Sequence, residues 1–199
     1  MKKSILITGC SSGIGLCVAR GLQARGYRVF ATVRRHESVQ ALLAEGLESF
    51  QLNLTDSNSF NFAFEEVMRH TGGEFHAVAN NRALGLPGAV EDLSRDALRA
   101  QFETNVFGWQ ELTNLVIPVM RRQGYGRIIQ NSSVLGFVAL PFRGAYNASK
   151  YAIEGLSDTL RLELRGSNIY VSLIEPGPIA SQFRMNAVRA LSNYIDTEN

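Results

Sequence analysis

The sequence predicts an α/β fold: a doubly wound parallel sheet with helices on both faces. Three observations carry that prediction. Short β-branched runs alternate with longer amphipathic stretches along the chain. The runs are apolar on both faces, as strands covered on both sides are. A glycine-rich turn, Thr8-Gly9-Cys10-Ser11-Ser12-Gly13-Ile14-Gly15, joins the first run to the first amphipathic stretch. Right-handed βαβ units follow from the alternation.

Six strands are expected, at 4–8, 28–33, 47–52, 75–79, 127–130 and 169–174. Helical patterns fill 13–25, 37–45, 57–71, 94–122 and 145–166. The 94–122 stretch is long enough for two helices. In the last pattern Ala152, Ile153, Leu156, Leu160 and Leu164 recur at helical spacing. At about 150 residues per domain, the 199 residues suggest a single dinucleotide-binding domain over 1–199.

Composition narrows the function classes. With 45% apolar and 19% charged residues, neither a disordered tail nor a fibrous repeat fits. A net charge of +2 gives no argument for a nucleic-acid partner. No apolar run reaches the roughly 18 residues of a membrane span. Cys10 and Cys17 read as reduced thiols, so the expected location is cytoplasmic. His36, His70 and His76 are scattered, and no metal site is expected.

Three motifs can carry chemistry. In the first turn, Gly9, Gly13 and Gly15 permit tight turning and close approach to a pyrophosphate. The N-terminus of the following helix offers free N–H groups. At the end of the second strand stands Arg34, where NAD binders carry an acid for the ribose 2′-OH. A guanidinium there can pair with a 2′-phosphate, and Ser11 and Ser12 can add hydroxyl donors. NADP(H) is therefore the expected cofactor. The third motif is Tyr146-Asn147-Ala148-Ser149-Lys150, which puts Tyr146 and Lys150 on one helical face. An ammonium beside a phenol lowers its pKa and lets the pair trade protons near neutrality. Ser133, or its neighbour Ser132, stands just past a strand and can donate to a substrate oxygen.

The glycine-rich turn, Asn80-Asn81, Asn105, Ser133, Tyr146, Lys150 and Pro176-Gly177 occur in the order found in short-chain dehydrogenase/reductases, and the chain resembles that family from residue 3 to about 181. The resemblance implies a Rossmann-type fold and a role for each matching position. Tyr146 is then the general acid and Ser133 fixes the substrate carbonyl. Lys150 holds the nicotinamide ribose and depresses the tyrosine pKa. Asn105 bends a helix and anchors a water leading to Lys150. Asn53 and Leu54 meet the adenine, Asn81 and Ile179 line the cofactor, and Ser181 reaches the nicotinamide amide. Ala31 to Arg34 and Asn81 to Glu91 look most like NADP(H)-preferring retinol, steroid and aldehyde reductases. A homodimer or homotetramer is implied, with a small carbonyl or alcohol as substrate.

Two departures stand out. Family members usually read Asn-Asn-Ala-Gly where this chain reads Asn80-Asn81-Arg82-Ala83. Either the loop shifts and Arg82 swings to solvent, or cofactor affinity falls. The family's seventh strand and helical substrate lid are also missing; Phe183 to Ile195 is where such a lid would start. The sixth strand is then a sheet edge. The leading expectation is a carbonyl reductase or alcohol dehydrogenase. The alternative is a catalytically weak or inactive NADP-binding protein or fragment. A sugar-nucleotide epimerase also uses a Tyr-Lys pair, but the chain lacks the length for that family's substrate domain.

Overall fold

The computed structural model describes residues 2–194. Six strands are described: β1 (Ser4–Thr8), β2 (Arg28–Val33), β3 (Glu48–Gln51), β4 (Ala77–Asn80), β5 (Gly126–Asn131) and β6 (Ile169–Ile174). They form one parallel sheet in the order β3-β2-β1-β4-β5-β6. The order reverses between β1 and β4. Crevices at such reversals, beyond the carboxyl ends of the strands, are where doubly wound sheets bind ligands.

The helices are α1 (Gly13–Ala24), α2 (His36–Ala44), α3 (Ser57–Thr71), α4 (Arg95–Phe102), α5 (Gly108–Gln123), α6 (Gly144–Glu163) and α7 (Phe183–Tyr194). The last residue of the expected lid start, Ile195, lies outside the described residues. Side chains along a strand alternate between sheet faces, so two cores form. One packs Ile5, Ile7, Val29, Ala31 and Val33 against Ala19 of α1 and Val39 and Leu42 of α2. The other packs Leu6, Phe30, Val78, Ile128 and Val171 against α3, α5 and α6, through Phe60, Trp109, Leu112, Val116 and Ile153. No described helix is long and apolar enough to cross a membrane.

Coverage on both faces holds for β1 and β2, which are buried almost throughout. It fails for β5 and β6, where burial alternates. Val171 is buried, whereas Tyr170 is 50% and Ile174 51% exposed. The reason is reach: α1 and α2 lie over the β1–β3 side, and the same face at β6 is open among the described residues. There Arg127 lays its guanidinium over the Tyr170 ring at 4.1 Å, which shields part of the ring.

Expected boundaries shift in three strands, β5 lengthening by one residue at each end to Gly126–Asn131. Strand β4 starts at Ala77 rather than Phe75, because Gln123 takes over the Phe75 backbone. Its Oε1 accepts from Phe75 N–H at 3.2 Å, and its Nε2 donates to Phe75 O at 2.7 Å. Strand β3 is trimmed to Glu48–Gln51. The long 94–122 pattern resolves as α4, a π-helical turn at Glu103–Phe107, and α5. On α6, Leu156 turns outward at 42% exposure, while Ile153 and Leu164 are buried in the core.

Candidate active site

The glycine-rich turn leaves β1 at its carboxyl end and is held there by close backbone contacts. Gly9 adopts φ +75°, in the region that favours glycine. A Cβ on Gly15 would lie 2.4 Å from Gly9 O and 2.5 Å from Asn81 Nδ2, so only glycine lets α1 approach this closely. Cys10 N–H donates to Thr32 O at 2.9 Å and ties the turn to β2. The Cys10 side chain is buried, and burial pushes its thiol up to about 12, which leaves it an inert filler. Ser12, extended at φ −169°, caps α1 without using its side chain on the helix. Its hydroxyl, the Ser11 hydroxyl and the first N–H groups of α1 are therefore free for an anion.

Asn81 is the junction of this edge. Its Nδ2 donates to Thr8 O at 2.9 Å and Gly9 O at 3.3 Å, and its Oδ1 accepts from Asn131 Nδ2 at 2.8 Å. Thr8 Oγ1 accepts from the N–H groups of Asn81 (2.9 Å) and Arg82 (3.1 Å). The ends of β1, β4 and β5 are thus joined through one amide. One residue earlier, buried Asn80 donates to Gln130 Oε1 at 2.9 Å and Thr113 Oγ1 at 3.2 Å.

The unusual Arg82-Ala83 loop keeps a fixed place. Asn105 Nδ2 donates to Leu84 O at 2.9 Å, and its Oδ1 accepts from Leu84 N–H at 2.8 Å. Gln101 grips the same loop through Leu84 O at 2.6 Å and Leu86 N–H at 2.8 Å. Trp109 Nε1 donates to Arg82 O at 2.8 Å. The Arg82 side chain is half-buried rather than swung to solvent, with one nitrogen donating to Ala83 O.

Asn105 sits in the π-helical turn, where Gly108 N–H bonds to Glu103 O five residues back. Such turns widen a helix and re-aim its side chains. The Asn105 side chain also donates to Ser149 Oγ at 3.0 Å, so it joins the 82–86 loop to α6. A Cβ on Gly108 would lie 2.2 Å from Leu54 O, so the glycine brings α5 against the Asn53-Leu54 segment. Leu54 itself is buried in the core, which leaves its backbone as what it can offer a ligand. The Asn53 Oδ1 accepts from Thr55.

Helix α6 carries Tyr146 and Lys150. Lys150 is fully buried, and its Nζ donates to Asn131 O at 2.8 Å. The ammonium lies 4.2 Å from the centre of the Trp109 ring and 5.5 Å from that of Tyr146. Burial lowers the Lys150 pKa to about 7, and the charge of Glu154, one turn further along α6, acts in the opposite direction. Burial raises the Tyr146 pKa, and the facing Ser133 hydroxyl offsets part of that rise. Desolvation therefore holds the phenol above its ordinary value, opposite to the depression expected from the spacing of Tyr146 and Lys150. Ser133 Oγ accepts from Leu135 N–H at 3.1 Å. The Ser132 hydroxyl instead lies, with Glu154 Oε1, beside Gly136 on the far side. Ser133 is therefore the serine that meets the tyrosine.

The segment after β6 folds back over this edge. Val134 N–H donates to Pro176 O at 3.2 Å, and Ser181 Cβ lies 3.3 Å from where a Gly13 side chain would begin. Ile179 is 51% exposed. Phe183, at the start of α7, packs its ring against Tyr146 with centroids 5.6 Å apart. It also fills the space that Gly85 leaves by lacking a side chain. On the segment between β5 and α6, Phe137 (58%), Leu140 (53%) and Phe142 (66%) are exposed.

The sequence reading identified Tyr146, Lys150, Ser133, Asn105 and the glycines, and the structure gathers them at the carboxyl edge of the sheet. Arg34 and Ile179 lie at its rim. Trp109, expected at the core or a helix–helix interface, is fully buried in the core, whereas the roles of Asn131 and Glu154 went unread. The partners of Asn131, which are Asn81 and Lys150, are distant in sequence, whereas Glu154 stands one helical turn from Lys150.

A doubly wound sheet with this turn at its reversal and a Tyr-Lys pair beside it defines a nucleotide-dependent oxidoreductase architecture. The profile of the short chain dehydrogenase family matches residues 3–192, and the chain belongs to that family. It is 43% identical over 193 residues to the uncharacterized oxidoreductase YbbO of Escherichia coli K12, covering 97% of this chain and 72% of that protein. It is 37% identical over 187 residues to human retinol dehydrogenase 8, covering 91% of this chain and 60% of that protein. A short-chain dehydrogenase from Streptomyces avermitilis superposes with TM-score 0.86 at 33% identity, covering 90% of this chain and 67% of that one. The chain thus spans between 60% and 72% of the length of these relatives.

Proposed function

We propose that this oxidoreductase transfers hydride between NADP(H) and a carbonyl or alcohol group on an apolar small molecule. The observation that carries the reading is half-buried Tyr146 one helical turn from fully buried Lys150, with the Ser133 hydroxyl facing the phenol.

The residues at the glycine-rich turn fit a dinucleotide. Ser12 leaves the α1 N-terminus free of side-chain capping, and Arg34 is exposed without a carboxylate in ion-pair range among the described residues. Gly9, Gly13, Ile14 and Gly15 would hold the diphosphate with Ser11 and Ser12, and Arg34 the 2′-phosphate. Asn53, Leu54, Asn81, Ile179 and Ser181 would line the rest. When bound, the nicotinamide supplies or accepts the hydride.

In the reductive direction, Tyr146 Oη gives its proton to the carbonyl oxygen as negative charge develops there. Its raised pKa keeps that proton in place until the substrate arrives. Ser133 donates to the same oxygen, and the Lys150 ammonium stabilises the phenolate left behind. Asn105 holds the 82–86 loop and α6 in register. The exposed Phe137, Leu140 and Phe142, on the segment that joins Ser133 to Tyr146, support an apolar substrate, in keeping with the retinol in the name of one relative. Exposed Phe107, Tyr151 and Leu156 support a homodimer or homotetramer, and the two free cysteines support a cytoplasmic setting.

The test is twofold. Titration calorimetry of the wild-type chain should show NADPH binding at least about tenfold tighter than NADH, the scale of one charged contact. Tyr146→Phe should lower kcat on aldehydes and retinoids about 1,000-fold, within the range of general-acid contributions, and leave NADPH affinity within twofold. Retained activity in Tyr146→Phe would remove the tyrosine from its role. A folded chain that binds neither coenzyme would instead match a non-catalytic relative of the family.

A further inference from the structure

We propose that Arg82, which stands where the family usually has a small residue, is a second anion contact that joins Arg34 in holding the 2′-phosphate of the coenzyme. The inference rests on the NADP(H) reading and adds a residue to it.

The backbone fixes where Arg82 can reach. Its N–H donates to Thr8 Oγ1 and its carbonyl accepts from Trp109 Nε1, so the Cα cannot move away from the carboxyl edge of the sheet. A Cβ on Gly9 would lie 2.8 Å from both Cα and Cβ of Arg82, so the side chain springs directly from the glycine-rich turn. Strand register puts Arg34 at the same edge. Thr8 pairs with Thr32, Cys10 N–H donates to Thr32 O at 2.9 Å, and Arg34 follows two residues on. The two arginines therefore flank the turn.

Their electrostatics are unbalanced. Burial lowers the Arg82 pKa, and the like charge of Arg34 lowers it further. Among the described residues neither guanidinium has a carboxylate within 4.0 Å. The recorded bond of the Arg82 guanidinium is to Ala83 O, which leaves most of its five donors uncommitted. Two cations at one edge that feel each other's charge are stabilised by a doubly charged anion that both can reach. A phosphate monoester has that charge, and the end of β2 is where the substituent on the adenosine 2′ position lies in this fold. The diphosphate belongs at the α1 N-terminus, on the other side of the turn.

The experiment compares adenosine 2′,5′-bisphosphate with 5′-AMP, two probes that differ only in the 2′-phosphate, by calorimetry on the whole chain. Arg82→Ala should weaken binding of the bisphosphate about tenfold and change 5′-AMP less than twofold. Arg82→Lys keeps the charge and much of the length, and should recover part of the loss. The inference is overturned if Arg82→Ala leaves bisphosphate binding unchanged, weakens both probes equally, or tightens either one, the last outcome marking Arg82 as an obstruction. A wild-type chain that does not distinguish the probes would refute the NADP(H) reading. A wild-type preference that survives intact in Arg82→Ala would refute only the role of Arg82.

Discussion

The β1–β2 side of the sheet and the β5–β6 side are built under different constraints. At β1 the chain is locked by contacts that no side chain could replace: Gly15 against Gly9 O, and Gly9 against Arg82. Both faces there are buried. At β6 one face is packed on α6 and the other shows Tyr170 and Ile174 to solvent. The first side is a rigid seat of fixed shape. The second is a platform whose outer face and apolar rim carry little of the packing. Preorganisation is thus concentrated where a common ligand would bind, and the variable side is left adaptable.

The sharpest break of this contrast uses two glycines. Gly15→Ala forces a Cβ to 2.4 Å from Gly9 O and should cost about 3 kcal/mol of stability, read as a fall in denaturation midpoint, together with loss of coenzyme binding. Gly155→Ala, on α6 with no atom within 4 Å of the new Cβ, should instead stabilise by about 0.5–1 kcal/mol. Next in size is a pair on one strand. Val171→Ala, on the packed face of β6, should cost about 2 kcal/mol, whereas Ile174→Ala on the open face should stay within about 0.5 kcal/mol. Similar losses at both positions would show that the open face is covered in solution.

A further effect, read as a slope against pH rather than at one pH, concerns Lys150, at the seam between the two sides. Its pKa falls from 10.5 to about 7 on folding, so above pH 7 the folded chain binds fewer protons than the unfolded one. Stability contributed by this group therefore rises with pH from about 7 to 10.5, by at most about 1.4 kcal/mol per pH unit. Below pH 7 the full cost of burying the charge is present. Denaturation of the ligand-free protein across this range should show the slope, and Lys150→Met should remove it.

The same contrast explains what the sequence could reveal. Strand β1, the turn and α1 were legible because their local pattern and backbone demands coincide, as in the extended Ser12 cap and the positive φ of Gly9. Tyr146 and Lys150 were legible because one helical turn relates them. Strands β5 and β6 were read as covered on both faces, since an apolar Ile or Tyr does not say whether a helix will reach it. The fate of Arg82 was unreadable because it depends on Trp109, Thr8 and Asn105, none of them its neighbours in sequence. The direction of the Tyr146 shift was missed for a related reason: helical spacing does not reveal how far the phenol is withdrawn from water.

Trp109 is the single tryptophan of the chain, and its indole N–H holds the Arg82 carbonyl while its ring faces the Lys150 ammonium at 4.2 Å. An ammonium against an indole quenches emission, and a reduced nicotinamide absorbs where indole emits. The protein therefore carries a label-free optical reporter between the Tyr146–Lys150 pair and the Arg82 loop. A change at either contact should alter its emission, with no background from another tryptophan.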